Sequence, residues 1–340
     1  MDTTKKVTVI DTTLRDGSHA VAHSFSPQQA GAIARALNRA GAKQIEVGHG
    51  DGLSGSSCQY GFLKYDEFDI IRSVMENAGD TRVGVLLLPG IGTIEELKKA
   101  YDIGVRAVRV ATHVTEADTG AEHIRFAKAH GMQAIGFLMM SHMRGPEDIL
   151  SEAEKFVSYG ADAVYMADSA GALLPHEVKA RVELLKSKLT VPVGFHAHNN
   201  LGLAIANSMA AVEAGADYID ATLRGLGAGA GNAAHEVLVA VLQKMGVACG
   251  EDLYGMMDAA EEQVKPLGVN MIIDKYALSI GYAGVYSSFF LHAKRAAERY
   301  NLDARDILME LGRLGTVGGQ EDMILEVAHH MSKQRRNAAQ

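Results

Sequence analysis

Val7-Thr8-Val9-Ile10-Asp11-Thr12-Thr13-Leu14-Arg15-Asp16-Gly17 is a β-branched apolar run that empties into a turn carrying an arginine, carboxylates and a closing glycine. Far downstream, Val191-Pro192-Val193-Gly194-Phe195-His196-Ala197-His198-Asn199-Asn200 has the same build, an apolar strand ending in two histidines. Residues two apart on a strand point to one face, so His196 and His198 stand side by side. Two imidazoles joined by one carboxylate, Asp16, make a divalent-metal site with positions left open for substrate. A donor set without thiolates suits Mn, Co, Fe, Zn or Mg, and spacing alone does not choose among them.

Working outward, similar strands recur at 7–12, 44–49, 82–89, 107–112, 133–140, 163–168, 192–198 and 218–224. Amphipathic segments such as 27–40, 94–101, 121–130 and 146–159 lie between them. Gly41, Gly104, Gly131, Gly160 and Gly215 each close a helix just before a strand, the place of a left-handed cap. Pro27, Pro146 and Pro175 fall where first-turn prolines belong. Strands apolar at nearly every position are buried on both faces, as parallel strands are. Eight of them alternating with helices predict an α/β fold, the (β/α)8 TIM barrel. The competing doubly wound sheet would gather polar residues at one switch point. Here they stand at nearly every strand end: Arg15 and Asp16, Glu46 and His49, Thr112 and His113, Ser141 and His142, Asp168 and Ser169, His196 and His198, Arg224. The barrel is therefore expected over 6–262, followed by an all-helical C-terminal domain over 263–340. Helices are read there at 271–282, 287–300, 304–313 and 323–333, with residues 334–340 frayed.

Composition narrows the function class. With 33 basic and 41 acidic residues among 340, the net charge of -8 is too mild and of the wrong sign for a nucleic-acid or anionic-membrane binder. The two cysteines, Cys58 and Cys249, have no framework spacing, which suits a reducing compartment. No signal-peptide core precedes the first strand, and no apolar stretch approaches the roughly 20 residues that span a bilayer. A cytoplasmic enzyme is expected.

Arg15 is either a structural ion-pair partner or an electrophile for developing negative charge. Glu46 on the second strand would be costly inside a barrel unless paired, and Arg15 is its obvious partner. Glu46 is thus given a supporting role behind the site, and Arg15 is left to face a substrate. His19, on the same loop, is a candidate general base near neutral pH. Leu86 and Leu88 share one face at the end of the third strand, as core or pocket wall. The glycine loop 225–231 is read as backbone brought close to the metal site, with Asn232 its polar tip; a phosphate role with Arg224 is the weaker alternative. Met139, Met140, His49, His113 and His142 are read as packing or rim residues. Tyr286 most simply packs the tail, but a tail folded over the barrel mouth could bring its phenol to the site.

The segments DTTLRDGSHAVAH (11–23), IEVG (45–48), VGHGDGLSGSS (47–57), HAHNN (196–200), GAGAGN (227–232) and GYAGVYSSF (281–289) together resemble the DRE-type metal-dependent lyase and synthase superfamily. Within it the chain is most similar to the class II pyruvate aldolases that act on 4-hydroxy-2-oxovalerate. The resemblance runs over essentially the whole chain. It implies a TIM barrel and a retro-aldol cleavage to pyruvate and acetaldehyde in meta-cleavage degradation of aromatic compounds. It also implies a divalent ion on Asp16, His196 and His198, Mn2+ first, with Co2+ or Mg2+ behind it. Arg15, His19 and Tyr286 would be the catalytic residues. Arg15, Ser169, His196, Leu86 and Leu88 would contact the substrate, and Glu46 and Asn232 would support the site. The implied partner is an acylating acetaldehyde dehydrogenase that receives the aldehyde, docked on the helical tail with apolar positions Met271, Ile272, Ile273, Phe289, Phe290 and Leu291. A Claisen-type acyl-CoA synthase or CoA-ester lyase on the same barrel is the alternative. Such synthases commonly carry a Glu-Arg pair in the glycine loop, where this chain has Ala228 and Ala230. A non-catalytic scaffold for a partner enzyme is the third reading, and the intact polar cluster speaks against it.

Overall fold

The computed structural model describes residues 5–287 and 289–338. Eight strands, β1 (Thr8–Leu14), β2 (Gln44–Val47), β3 (Arg82–Leu87), β4 (Ala107–His113), β5 (Gln133–Met139), β6 (Ala163–Asp168), β7 (Val193–Ala197) and β8 (Tyr218–Ala221), pair in sequence order. All pairs are parallel, and β8 returns to β1 with Tyr218 opposite Thr8, closing the barrel. Outside it lie α1 (Pro27–Arg39), α2 (Glu67–Asn77), α3 (Ile94–Ile103), α4 (Ala121–Ala129), α5 (Pro146–Ser158), α6 (Pro175–Lys188), α7 (Ala204–Glu213) and α8 (His235–Lys244). Pro27, Pro146 and Pro175 each open a helix, and Ser26 with Gln29 forms a capping box on α1. The closing glycines 41, 104, 131, 160 and 215 all have positive φ, a conformation that side chains disfavour.

Alternation along the strands divides the core into two layers. Val9, Ile45, Val85, Val108 and Phe195 face the helices, whereas Ile10, Leu86, Ala111, Ile135, Phe137 and Tyr165 fill the barrel. Arg109 points inward as well, fully buried between the rings of Tyr165 and Phe137, its guanidinium carbon 4.4 and 4.9 Å from their centroids. Five strands, β2, β3, β5, β7 and β8, are shorter than their apolar patterns, and for three the reason is visible. β2 stops at Val47, because His49 N–H donates to the Glu67 carboxylate instead of to a neighbouring strand. β7 stops at Ala197, where Asn199 N–H turns to Gly231 O. β8 stops at Ala221, ahead of a 3-10 turn with Arg224 at φ 55.

After α9 (Leu253–Ala259), a π-helical turn (Ala260–Val264) ends the layer packed on α1. The tail consists of α10 (Lys275–Ala283), α11 (Phe289–Tyr300), α12 (Ala304–Leu314) and α13 (Asp322–Ala338), around its own core of Ile280, Phe289, Ile307, Leu311 and Ile324. α10 starts at Lys275 rather than 271 because the Asp274 carboxylate accepts the N–H groups of Tyr276 and Ala277. α13 runs through most of the stretch expected to fray, and residues 339–340 and Ser288 lie outside the described residues. Among the apolar tail positions, Phe289 belongs to the tail core, Phe290 packs against it and Met271 packs on the barrel; Ile272, Ile273 and Leu291 are exposed.

Candidate active site

The C-terminal ends of the strands converge on one cavity. It is lined by Arg15, Asp16, His19, Gly50, Asp51, Leu86, Leu88, Phe137, Met139, Ser169, His196, His198, Ala228, Tyr286 and Ser287. The backbone turns into a 3-10 helix (Asp16–Val21) directly after β1, which carries Arg15, Asp16 and His19 to the rim together. Asp16, His196 and His198 are all buried, and one ligand atom of each lies within 4.8 Å of the others. Asp16 Oδ2 is 3.5 Å from His196 Nε2 and 3.7 Å from His198 Nε2, and the two Nε2 atoms are 3.3 Å apart.

Protonation prepares Asp16 and His198 for a cation. Burial would raise the Asp16 carboxyl, but Arg15 beside it, with His198 and His196, holds it well below the usual carboxylate range. Burial pushes His198 down to about 4 despite Asp16, so its imidazole is neutral at pH 7. His196 Nδ1 donates to Asp220 Oδ2 at 2.8 Å, which leaves Nε2 to present a lone pair. Burial opposes the charged form of His196, yet Asp16 and Asp220 on either side raise it. Two imidazoles and one carboxylate converging from three points thus fit a divalent ion. The glycine loop adds backbone: Ala228 N–H donates to Asp16 Oδ1 at 3.2 Å, so this loop does approach the cluster closely.

Arg15 is held on two sides and free on a third. Its Nε donates to Glu46 Oε1 at 2.6 Å, and Nη1 donates to Asp16 Oδ2 at 2.7 Å and to Gly50 O at 3.3 Å. Nη2 is buried without a hydrogen-bond partner among the described residues. A buried guanidinium N–H left open at a cavity wall is a donor awaiting a ligand.

Leu86, Leu88, Ser169 and Tyr286 meet in the same cavity as the polar cluster. Ser169 Oγ accepts Met140 N–H at 3.0 Å, and its hydroxyl proton has no acceptor among the described residues. The Tyr286 hydroxyl is 3.8 Å from Met139 sulfur, and burial raises its pKa well above the usual phenol range. The phenol does come to the site. Asn232 sits behind the cluster with Nδ2 donating to Leu226 O.

Some expectations are corrected. Met139, read as a packing or rim residue and left out of the site, lines the cavity. Arg224 turns away from the glycine loop and pairs with Glu261 at 2.9 Å. His49, read as a packing or rim residue, packs: it is fully buried and stacks on His23 with centroids 3.9 Å apart. Two charges were missed. Arg109 pairs bidentately with Asp220, and its Nε lies 3.2 Å from Glu46 Oε2, an ion-pair distance at an angle outside a hydrogen bond. One buried chain of charges therefore links Arg15, Glu46, Arg109, Asp220 and His196. Charged residues inside apolar strands, the Arg of AVRVAT and the Asp of YIDATL, were the available signal.

Comparison with known proteins agrees with this architecture. Residues 6–262 match the HMGL-like family and residues 271–333 match the DmpG-like communication domain. A 4-hydroxy-2-oxovalerate aldolase of Carboxydothermus hydrogenoformans is 59% identical over 330 residues, 97% of this chain and 98% of that protein. One of Chloroflexus aurantiacus is 56% identical, over 97% of this chain and 96% of that protein. The carboxyl transferase domain of Rhizobium etli pyruvate carboxylase superposes with a TM-score of 0.83 over 97% of this chain and 61% of that one. At 19% identity, that likeness concerns the fold alone.

Proposed function

The chain belongs to the HMGL-like family, among the 4-hydroxy-2-oxovalerate aldolases, and from that premise we propose that it cleaves 4-hydroxy-2-oxopentanoate to pyruvate and acetaldehyde. The observation that carries the chemistry is the unpaired Arg15 Nη2, buried at the wall of a cavity that also holds the Asp16, His196 and His198 cluster. Retro-aldol cleavage needs stabilisation of an enolate and removal of one hydroxyl proton. A divalent ion on Asp16, His196 and His198, manganese first and cobalt or magnesium behind it, would supply Lewis-acid charge for the 2-oxo acid. Arg15 offers Nη2 to the negative charge that grows as the C3–C4 bond breaks. His19 takes the 4-hydroxyl proton, and the same proton suffices to convert the enolate carbon into the methyl of pyruvate. Ser169 gives its hydroxyl proton to the substrate carboxylate. Tyr286 borders the aldehyde end, while Leu86 and Leu88 limit its length. Glu46 holds Arg15 in register, and Asn232 backs the glycine loop.

The tail supports a second proposal, a complex with an acylating acetaldehyde dehydrogenase. Residues 271–333 match the DmpG-like communication domain, and Ile272, Leu278, Tyr282 and Leu291 expose apolar surface on or beside its first two helices. A small reactive aldehyde favours a next active site close by. A cytoplasmic, reducing setting is part of the same proposal; among the described residues no helix is long and apolar enough to cross a membrane, and both cysteines are free.

The test measures pyruvate and acetaldehyde together from 4-hydroxy-2-oxopentanoate, beside a parallel reaction of acetyl-CoA with a 2-oxo acid. Equal amounts of both products and no CoA release are expected. CoA release without pyruvate formation would replace the aldolase reading with a synthase. Co-expression with the dehydrogenase should give one peak on size-exclusion chromatography; two separate peaks at micromolar concentration would remove the partner.

A further inference from the structure

The loop after β2 carries a carboxylate that the mechanism above does not use. In Val47-Gly48-His49-Gly50-Asp51-Gly52, three glycines alternate with two side chains. Gly50 must be glycine, because a Cβ there would collide with the His19 ring. Gly52 has φ +86, and a Cβ there would meet Leu86 O at 2.7 Å. The loop is thus clamped between His19 and the end of β3, and Arg15 Nη1 ties it down through Gly50 O. Asp51 is the side chain it presents. Among the described residues, Asp51 alone borders the site cavity, the cleft of about 600 Å³ running past His19 to Phe290 and Arg295, and the pocket between Tyr286 and Thr119.

Asp51 is 5% exposed, and its Oδ2 has no hydrogen-bond partner among the described residues. His49 does not neutralise it. Asp51 N–H donates to His49 Nδ1 at 3.1 Å and His49 Nε2–H reaches Gly61 O at 3.0 Å, so both ring nitrogens are committed in the neutral form. Burial pushes His49 down to about 4. The nearest unclaimed partner is His19 Nε2, 3.9 Å from Asp51 Oδ2. Burial raises the Asp51 carboxyl above its usual value; His19 and Arg15 favour its charged form while Asp16 and Glu321 oppose it, and His23 stands 5.0 Å from His19, ring to ring. A desolvated carboxylate with an open oxygen costs stability, so a structural purpose does not account for it.

We propose that Asp51 is the positioning carboxylate of His19, accepting its Nε2–H and leaving Nδ1 as the basic nitrogen. The inference rests on His19 as the base. When the 4-hydroxyl gives its proton to His19, the C3–C4 electron pair passes to C3 and C4 departs as the aldehyde carbon. The imidazolium so formed lies against Asp51 until its proton moves to C3. Asp51 joins in neither transfer; it fixes the tautomer and balances the charge, as a carboxylate behind a catalytic histidine does. The 3.9 Å separation is long for a hydrogen bond, as catalytic contacts often are before substrate arrives.

The experiment compares Asp51→Asn, His19→Ala and the double variant, all loaded with metal. Asp51→Asn should lower kcat by roughly 10- to 100-fold, less than the full share of a general base. KM should stay within about threefold, since a group acting through the base is missed in the transition state and not in binding. Losing a negative neighbour makes the imidazole less basic, so the limb of the kcat/KM profile reporting the base should move to lower pH. The melting temperature should hold or rise, because an unpaired buried charge is gone. On the His19→Ala background the same change should alter kcat less than about twofold, the non-additivity of groups acting as a unit. An Asp51→Asn enzyme with wild-type kcat, or one losing the same factor without His19, overturns the role of Asp51 and leaves His19 standing. A His19→Ala enzyme with wild-type kcat overturns both.

Discussion

Replacing Asp220 by asparagine should weaken metal binding without touching a ligand. Asp220 Oδ2 accepts His196 Nδ1–H at 2.8 Å and Arg109 Nη1–H, and Oδ1 accepts Arg109 Nη2–H at 3.1 Å. An amide has one oxygen to give. If it stays with Arg109, its NH2 faces His196 Nδ1 and drives the imidazole proton onto Nε2, the atom that must carry the lone pair. If it stays with His196, it keeps Arg109 Nη1–H as well, but the NH2 then faces Nη2, and the fully buried Arg109 loses half its fork beside Glu46 at 3.2 Å. The first outcome forfeits a charge-assisted hydrogen bond of about 1.5–3 kcal/mol. At 1.4 kcal/mol per decade that is roughly a 10- to 100-fold rise in Kd, the usual cost of losing such a partner of a ligating histidine. The second destabilises the fold by up to about 3–5 kcal/mol, as breaking a buried pair does. Calorimetric titration of metal-stripped protein with Mn2+, run below the melting transition recorded by circular dichroism, separates the two. Folded Asp220→Asn protein that binds Mn2+ within twofold of wild type would refute the claim that Asp220 sets the His196 tautomer.

Arg15→Lys should lose nearly as much kcat as Arg15→Ala, roughly 100-fold or more, because one ammonium cannot hold Glu46 and Asp16 and still offer a planar third donor; near-normal turnover would return Arg15 to a structural ion pair. Leu88→Ala should shift kcat/KM toward 4-hydroxy-2-oxohexanoate by roughly 10-fold or more, the worth of one methylene in an apolar pocket, and an unchanged preference would remove Leu88 from the aldehyde end. Acidification should destabilise the fold below pH 6.5. Burial depresses His23 to about 3 and His49 to about 4, so between those values and 6.5 the unfolded chain takes up protons that the folded one refuses. Stability contributed above 6.5 is then lost as pH falls, by up to about 1.4 kcal/mol per pH unit for each group. His23→Asn, chosen because asparagine tolerates the φ of 55 at this position, should flatten the fall in melting temperature between pH 6.5 and 4.5, and a slope equal to wild type would contradict it.

Much of this architecture is legible in the chain because its local signals agree. β-branched strands, first-turn prolines and closing glycines repeat in phase, and the His196–His198 spacing survives even though β7 ends between them. What stayed hidden depends on long-range pairing. Arg109 in an apolar strand reads as an anomaly until Asp220, 111 residues later, is seen to meet it. Asp51 in a glycine-rich loop reads as turn chemistry, since nothing local says its carboxylate is buried or that His19 lies 3.9 Å away. The exact strand ends were also not readable. Gly231 O and the Glu67 carboxylate, which capture backbone donors beyond β7 and β2, come from distant segments.

The most direct measurement follows pyruvate release from 4-hydroxy-2-oxopentanoate before chelation, after it, and after return of each divalent metal. Pyruvate formation should vanish in the stripped enzyme and in His198→Ala, which should bind no metal, and should return to the stripped wild type with Mn2+ most fully. Undiminished cleavage by metal-free protein, or none with any metal restored, would contradict the assignment of Asp16, His196 and His198 to a metal-dependent aldolase.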